Sequence, residues 1–247
     1  KFKSSKCLIL EEFLYGEEVS YFIAADKKNF TFLGSAQDHK KVGENETGPN
    51  TGGMGAYSPA PIINKLLEKK IINRIIKPTL KALKKKRKPF TGFLYAGLII
   101  KKNEPYLIEY NVRMGDPECQ VIMPRIKTDL VKIIIALVEN KLNKLKIKWY
   151  KKKCMTIVLC SKGYPGEYKK NKIINNFNKV KLPKHSIIYH AGTKIINNKL
   201  VSSGGRVLNI TSCGNKFYNI RKNIFKIIKK INWNHGFYRK DIGWRVI

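Results

Sequence analysis

Acidic residues are scarce in this sequence: 17 of its 247 residues are Asp or Glu, against 50 Lys and Arg, which leaves a formal net charge of +33. Histidine is also rare, with four residues, and the five cysteines form no Cys-x-x-Cys pair. The chain therefore offers no ligand set typical of a structural zinc site. An odd number of unpaired cysteines suits free thiols in a reducing compartment, so we expect a cytoplasmic protein.

Long apolar stretches are missing as well. The longest obvious one covers residues 92–100, whereas a membrane-spanning helix needs about 20 residues, so no membrane association is expected. An apolar content of 43% is nevertheless enough for folded cores. The chain starts with Lys1 rather than Met, and we expect an N-terminal portion of the protein to precede it.

The positive charge has two interpretations. A basic surface that follows phosphates would indicate nucleic-acid binding. Alternatively, the lysines reflect A/T-rich codons and lie on solvated faces. They are spread over four separate segments and are not interleaved with stacking aromatics. The second interpretation is favoured, and no specific nucleic-acid partner is expected.

Hydrophobic spacing predicts an α+β protein with two domains, residues 1–150 and 151–247, separated by a lysine-rich segment. Thr128 is a plausible N-cap, and Pro78 should kink or restart its helix. Strands are predicted over 7–14, 18–25, 30–36, 91–101, 105–111 and 154–160, helices over 62–86, 127–142 and 216–231, and a long loop over 37–61.

The segment 108–118 predicts a divalent-metal site. Residues i and i+2 of a strand share a face, so Glu109 and Asn111 project together while Ile108 and Tyr110 point toward a core. A carboxylate and an amide oxygen suit Mg²⁺, which takes its other ligands from water and phosphates. Arg113 can reach a phosphate oxygen.

Three further stretches could bind a nucleotide. Acids at 11–18 could contact a base and a ribose, although a simple hairpin would explain them too. The stretch 37–43 carries His39, Lys40 and Lys41, which could neutralise a phosphate or carboxylate. In the stretch 47–61, Gly52, Gly53 and Gly55 would let backbone N–H groups approach an anion, although a mobile linker is the alternative.

In this order and spacing, the four stretches resemble the phosphoribosylamine–glycine ligase (glycinamide ribonucleotide synthetase) family of the ATP-grasp superfamily. The resemblance continues through residues 162–166, 191–194, 202–208 and 237–245, and so covers essentially the whole chain. It implies a partial ATP-grasp domain, an antiparallel sheet with helices, followed by a small α/β C-terminal domain.

The resemblance also implies roles for individual residues. Glu109 and Asn111 match the family's magnesium ligands, and Asp116 lies where the amine substrate enters. Glu11 and the Leu14 backbone match the hinge that reads adenine, and Glu17 or Glu18 matches a ribose contact. His39 and Lys41 match the site of the γ-phosphate and of the carboxylate to be activated. Residues that would line the substrate cleft are Arg206, Arg239 and Asp241.

The reaction implied is the ATP- and Mg²⁺- (or Mn²⁺-) dependent joining of glycine to 5-phosphoribosylamine through an acyl phosphate, by a monomeric enzyme of purine biosynthesis. Another ATP-grasp carboxylate–amine ligase remains an alternative. The strand 91–100 carries no acid, so the protein supplies only two metal ligands. We also expect that the family's N-terminal domain and most of its lid precede Lys1, which would leave this piece inactive alone.

Overall fold

The computed structural model describes residues 10–247, and within them thirteen strands and five α-helices are formed. The strands are β1 Glu17–Ala25, β2 Phe30–Asp38, β3 Lys41–Gly43, β4 Thr47–Asn50, β5 Gly55–Ser58, β6 Gly92–Lys101, β7 Glu104–Asn111, β8 Lys153–Ser161, β9 Ser186–His190, β10 Thr193–Ile196, β11 Lys199–Ser202, β12 Arg206–Gly214 and β13 Gly236–Phe237. The α-helices are α1 Lys65–Ile71, α2 Lys77–Lys85, α3 Cys119–Ile122, α4 Leu130–Val138 and α5 Phe217–Ile231.

One antiparallel sheet runs through the described chain in the order β7-β6-β1-β2-β5-β8-β12-β9, with β13 also paired to β8. The predicted α+β class, an antiparallel sheet with helices, is confirmed. Because β5 pairs with β8, the sheet is continuous across the predicted boundary near residue 150. The two-domain division therefore stays a prediction.

Strand β1 is buried on both faces of the sheet. Tyr21 and Ile23 pack in a core with α1, whereas Phe22 and Ala24 pack in a second core with α3 and α4. Because helices cover both faces of the sheet, β1 has a continuous run of apolar residues instead of alternating apolar and polar residues. The predictions of strands at 18–25 and 30–36 are confirmed.

The predicted helix 62–86 is present, with Asn64 as its N-cap accepting from the Leu67 N–H. Between α1 and α2 lies a π-helical turn, Ile72–Ile76, directly before Pro78. Proline has no N–H to donate to the preceding turn, and the wider turn accommodates that gap. The expected irregularity at Pro78 is therefore confirmed, as a π-turn.

Three element predictions are wrong in detail. The predicted hinge strand 7–14 lies partly outside the described residues, and residues 10–14 form no strand. The segment 37–61 is not a plain loop, because it contains β3, β4 and β5. Helix α4 starts after Asp129, whose side chain accepts from the Val131 and Lys132 N–H groups; Thr128 is not the cap because its hydroxyl accepts from Lys148 N–H.

The last helix, α5, is confirmed with its predicted face. Its six inward residues are buried against β8 and β12: Phe217, Ile220, Ile224, Ile227, Ile228 and Ile231. In residues 10–247, no helix combines the length and apolar character that crossing a bilayer requires.

Two of the cysteines are paired. Cys154 on β8 and Cys213 on β12 lie opposite each other and form a disulfide. The expectation of free thiols is wrong for this pair, although Cys119 and Cys160 are free. The pairing follows from strand register between residues 59 positions apart, which spacing alone does not reveal.

Candidate active site

The predicted metal ligands share one face of β7. The Asn111 amide nitrogen donates to Oε1 of Glu109 at 3.0 Å, which leaves the amide oxygen of Asn111 free to coordinate a cation. Among residues 10–247 no group of three or more His, Cys, Asp or Glu side chains forms a metal cluster. The donor set therefore fits a Mg²⁺ ion that takes most of its ligands from phosphates and water.

A β-bulge lies directly before Glu109, which is exposed and borders a small cavity. Gly97 of β6 pairs with Glu109, and Leu98 pairs with Leu107, so Ile108 is the extra residue between them. The prediction that Ile108 points to a core is wrong, because the bulge breaks strict alternation. Ile108 is 46% exposed and lines the same cavity as Glu109. Tyr110 does face a core, where its hydroxyl lies 2.7 Å from Thr79 Oγ1.

Two adjoining cavities meet beside this strand. The smaller, about 50 Å³, is bordered by Glu109, and the larger, about 360 Å³, by Leu14 and Lys41. Glu18, Asp38 and Lys40 line both cavities. The structure thus brings together four predicted site residues from distant parts of the sequence, namely Leu14, Glu18, Lys41 and Glu109.

Two other acids of the predicted nucleotide site are not among the residues that line these cavities. Glu11 is exposed on a segment without regular structure. Glu17 is at the start of β1, where its Oε2 accepts from Gln37 at 3.3 Å and lies 3.7 Å from Arg245. Their adenine and ribose contacts stay predictions.

Lys40, rather than Lys41, occupies the centre of the acidic surroundings. Its Nζ lies 3.0 Å from Oε2 of Glu18. Burial on its own would lower the pKa of Lys40, but the charges of Glu18, Asp38 and Glu109 outweigh burial and raise that pKa. Lys40 is therefore a permanent positive charge between the predicted metal site and the larger cavity.

His39 is fully buried, and both of its ring nitrogens are in use. Nδ1 lies 2.8 Å from Glu46 Oε1, and Nε2 accepts from the Gly243 N–H at 3.2 Å. Burial lowers the pKa of His39 despite the neighbouring Glu46, which favours the neutral ring. This arrangement gives His39 a structural task, and its predicted phosphate contact stays untested.

The same buried network contains Arg239. Its guanidinium bonds Glu46 and Asp241 and donates to the Lys41 carbonyl at 2.9 Å. Burial raises the pKa of Glu46, but hydrogen bonds from His39 and Arg239 outweigh it and lower that pKa to about 2. Arg239 and Asp241 thus join the C-terminal segment to β3; they do not line the cleft as predicted.

Comparison with known families agrees with this arrangement. Residues 1–119 match the family model described as phosphoribosylglycinamide synthetase, ATP-grasp (A) domain, and residues 154–245 match its C domain. A phosphoribosylamine–glycine ligase from Vigna unguiculata is 46% identical over 241 residues, which are 96% of this chain and 78% of that relative. The chain belongs to the phosphoribosylglycinamide synthetase family.

Other relatives of this family are similar along the same residues. The phosphoribosylamine–glycine ligase of Agrobacterium fabrum is 45% identical over 97% of this chain. The crystal structure of the Thermotoga maritima phosphoribosylamine–glycine ligase superimposes on 94% of it with a TM-score of 0.80 and 32% identity. This chain spans 56% of the length of each of these two relatives.

In this member of the phosphoribosylglycinamide synthetase family, the glycines of 52–55 serve close packing. The N–H groups of Gly52 and Gly53 donate within the protein, to the Tyr164 hydroxyl and to Thr51 Oγ1. A Cβ on Gly53 would collide with Pro117 and lie 2.8 Å from Asp38 Oδ1, and its φ of +110° also favours glycine. A Cβ on Gly55 would meet the Thr156 carbonyl at 2.7 Å. The predicted cradle of free N–H groups is therefore not formed by Gly52 and Gly53.

Asp116 is held by Arg206, from the second half of the chain. The Arg206 guanidinium bonds Asp116 Oδ2 at 2.9 Å and its carbonyl at 2.8 Å, and also donates to the Gly52 carbonyl. It therefore joins the glycine-rich segment to the loop after β7. Arg113 is exposed and bonds the Met114 carbonyl, so its predicted contact with a phosphate is sterically open but untested.

Replacing Arg206 with lysine is expected to lower kcat/KM roughly 10- to 100-fold, because one ammonium cannot serve three acceptors in fixed geometry, and hydrogen bonds to charged groups contribute about 1.5–3 kcal/mol each. Steady-state kinetics of the protein at its full natural length, in the ligation that we propose for it, measures this change. Arg74→Lys, at a surface ion pair with Glu104, is the control and should leave kcat/KM unaltered. Equal rates for the two variants would show that the Arg206 bridge has no catalytic consequence.

Sequence reasoning did not predict Asp38 as a site residue, and it gave Glu118, together with Asp116, the role of an acceptor for an amine. Glu118 is 3% exposed, and its Oε1 lies 2.9 Å from Ser20 Oγ on β1. Asp38 was placed at the start of a loop, whereas it ends the buried strand β2. Its position directly before His39, in the stretch predicted to bind a phosphate or carboxylate, is the signal that could have identified it.

Proposed function

We propose that the protein carries out, at its full natural length, the ATP-dependent ligation of glycine to 5-phosphoribosylamine, with Mg²⁺ or Mn²⁺. The observation that carries this proposal is the shared cleft. Glu109, which is bonded to Asn111, borders a small cavity together with Lys40, and Lys40 also borders the larger cavity of Leu14 and Lys41. Family membership over both halves of the chain supports the same reaction.

In the proposed reaction, the carboxylate of glycine attacks the γ-phosphorus of ATP and releases ADP. The neutral amine of phosphoribosylamine then attacks the glycyl phosphate, and inorganic phosphate leaves. A Mg²⁺ ion held by Glu109 and Asn111 would supply positive charge to the phosphate oxygens. Lys40 and Lys41 border the larger cavity and would add positive charge there, and Arg113 can bind a phosphate oxygen.

The test is ADP release by the protein at its full natural length. Release that requires glycine and phosphoribosylamine together supports the proposal. ADP release with another carboxylate and amine, and none with this pair, would favour the alternative of a different ATP-grasp carboxylate–amine ligase. A panel of small amino acids and amines in the same assay separates the two.

One surface has the basic and aromatic side chains that are common in nucleic-acid-binding sites. Helix α5 borders an open groove of about 530 Å³ that carries basic and aromatic side chains together: Tyr218, Arg221, Lys222, Phe225, Lys226, Lys229, Tyr238 and Lys240. At this groove, basic and aromatic residues are interleaved, so the prediction that they are not interleaved is wrong here. Specific nucleic-acid binding nevertheless requires a base preference at physiological salt. We propose that this protein has no specific nucleic-acid partner, and a binding isotherm at physiological salt tests that proposal.

We also propose a monomer in the cytoplasm. Cys119 and Cys160 are free thiols, as in a reducing compartment, whereas Cys154 and Cys213 are bonded to each other. Light scattering of the purified protein and cell fractionation test the two statements separately.

A further inference from the structure

The positive charge of the chain is concentrated in one long segment. Between Glu167 and Asp241 the sequence contains no Asp or Glu, whereas acids recur throughout the residues before it. A bias toward lysine codons raises the positive charge everywhere, but it does not by itself remove the acids from one segment. Helix α5 and residues 238–240 lie in this segment and border the open groove of about 530 Å³ described above, which we name the α5 groove.

The cations of the α5 groove have no counterions in the protein. Within residues 10–247, none of the groove's five basic side chains forms an ion pair. Glu44 accepts from the backbone N–H of Lys240 at 3.1 Å but does not line the groove. A polyanion in the groove would therefore be attracted by every one of these cations: Arg221, Lys222, Lys226, Lys229 and Lys240.

Aromatic rings alternate with the cations on the exposed side of α5. Tyr218, Lys222, Phe225 and Lys229 follow one another at the helical spacing of three or four residues, so they form one stripe. Tyr218 is 60% exposed, which leaves its ring open to a ligand. The two rings are separated by about 10 Å along the helix axis.

The ring of Phe225 is held in place by its neighbours. The guanidinium carbon of Arg221 lies 5.7 Å from its centroid, and the centroid of the Tyr238 ring lies 6.1 Å away. Phe225 and Tyr238 both pack partly against the core beneath α5. A flat ligand would therefore meet rings that are already fixed, so little further ordering is needed for stacking.

The alternation of rings and cations selects the chemistry of the ligand. A single-stranded nucleic acid carries a phosphate and an open base face in each unit, which fits this alternation. The bases of a duplex are stacked on one another and offer the rings no open face, and an acidic peptide would use the cations alone. A second copy of this chain is repelled by the net charge of +33. A membrane surface is also a poor fit, because the apolar face of α5 is buried in the core.

We propose that the α5 groove binds single-stranded nucleic acid, with its phosphates on the basic side chains and its bases stacked on Tyr218 and on the pair Phe225 and Tyr238. Every base has a face that can stack, so this binding tolerates any sequence. It is therefore compatible with a protein that has no specific nucleic-acid partner. The inference does not depend on the proposed ligation.

The first experiment separates stacking from charge. Fluorescence anisotropy at physiological salt compares a labelled single strand of about 15 nucleotides with an abasic strand of equal length, using the protein at its full natural length. Both strands have the same phosphates, but only the first has bases. The wild type should bind the first at least about 10-fold more tightly. Equal affinity for the two strands, or tighter binding of a duplex, of polyglutamate or of phosphatidylserine vesicles, would overturn the proposal.

Tyr218→Ala should weaken binding of the base-containing strand about 10-fold and leave binding of the abasic strand unchanged, because it removes a stacking surface and no charge. Tyr150→Ala is the matched control. Tyr150 is also exposed and has the Lys152 ammonium 5.5 Å from its ring centroid, but it does not line the groove. The inference fails if both variants lose the same affinity or if Tyr218→Ala loses none.

A pair of triple variants tests the cations. Each phosphate contact with a single strand contributes about 0.7 to the slope of log affinity against log salt, so removing three groove lysines should reduce that slope by about 2. The variant is Lys222→Gln, Lys226→Gln and Lys229→Gln. The control removes three exposed lysines of α2 and should keep the wild-type slope: Lys81→Gln, Lys84→Gln and Lys85→Gln. The same change of slope in both variants would show attraction to the whole polycation and would overturn the site.

Discussion

Glu109→Ala is expected to lower kcat/KM for Mg·ATP by about three orders of magnitude in the protein at its full natural length. Glu109 is the only carboxylate of the predicted ligand pair, and metal stabilisation of phosphoryl charge contributes several kcal/mol, at about 1.4 kcal/mol per tenfold. Raising the Mg²⁺ concentration should recover part of the rate, because the remaining ligand, Asn111, still binds weakly. Steady-state ADP release at a series of Mg²⁺ concentrations measures both effects.

Glu104→Ala is the matched control, on the same strand. Glu104 pairs with Lys70 and Arg74 at the surface, far along β7 from the cavities, so its loss should leave turnover and Mg²⁺ dependence unchanged. Asn111→Ala should give a smaller loss than Glu109→Ala, since it removes a neutral ligand. Wild-type turnover by Glu109→Ala would contradict the metal assignment.

Arg239→Met is expected to lower the free energy of unfolding by about 3–5 kcal/mol. Arg239 is 1% exposed and bonds two partly buried carboxylates, Glu46 and Asp241, so its removal takes away the cation that both carboxylates share. Urea denaturation followed by circular dichroism gives this quantity. Arg245→Met is the control: Arg245 is 24% exposed and lies 3.7–3.9 Å from its acidic neighbours, so its loss should cost less than about 1 kcal/mol.

Acid titration examines the same network. The pKa of Glu46 is about 2 in the folded protein and 4.5 ordinarily, so between these values the unfolded chain binds more protons. Wild-type stability should therefore fall as the pH drops from about 4.5 toward 2. Arg239→Met should flatten this dependence, because the pKa of Glu46 rises toward its ordinary value. An equal slope in both proteins would show that Arg239 does not hold the carboxylate ionised.

Local pattern predicted the regular elements where a single periodicity dominates. Helix α5 was placed with all six of its buried residues because its apolar spacing is uninterrupted. The central strands were placed because runs of apolar residues end at clear turns. The pattern failed at β5, whose four residues are all buried between β2 and β8, so no alternation marks it. It also failed at Ile108, where a bulge reverses the direction of the side chain.

For the candidate site, too, local pattern predicted some features and could not predict others. The pairing of Glu109 with Asn111 needs only the two-residue period of a strand, and the structure shows them together. The burial of His39 could not be predicted, because its partners Glu46 and Gly243 come from different parts of the fold. Arg206 likewise reaches Gly52 and Asp116 only after the chain returns beside them.

The sequence by itself predicted the fold class, the family resemblance and a pair of candidate metal ligands, because each rests on local patterns and motifs along the chain. Only the tertiary structure decided which charged side chains share a cavity. It placed Lys40 among the acids, took His39 into the interior, paired Cys154 with Cys213 and left Oδ1 of Asp38 without a donor. The physical reason is that burial and pairing depend on strand register, which joins residues far apart in sequence.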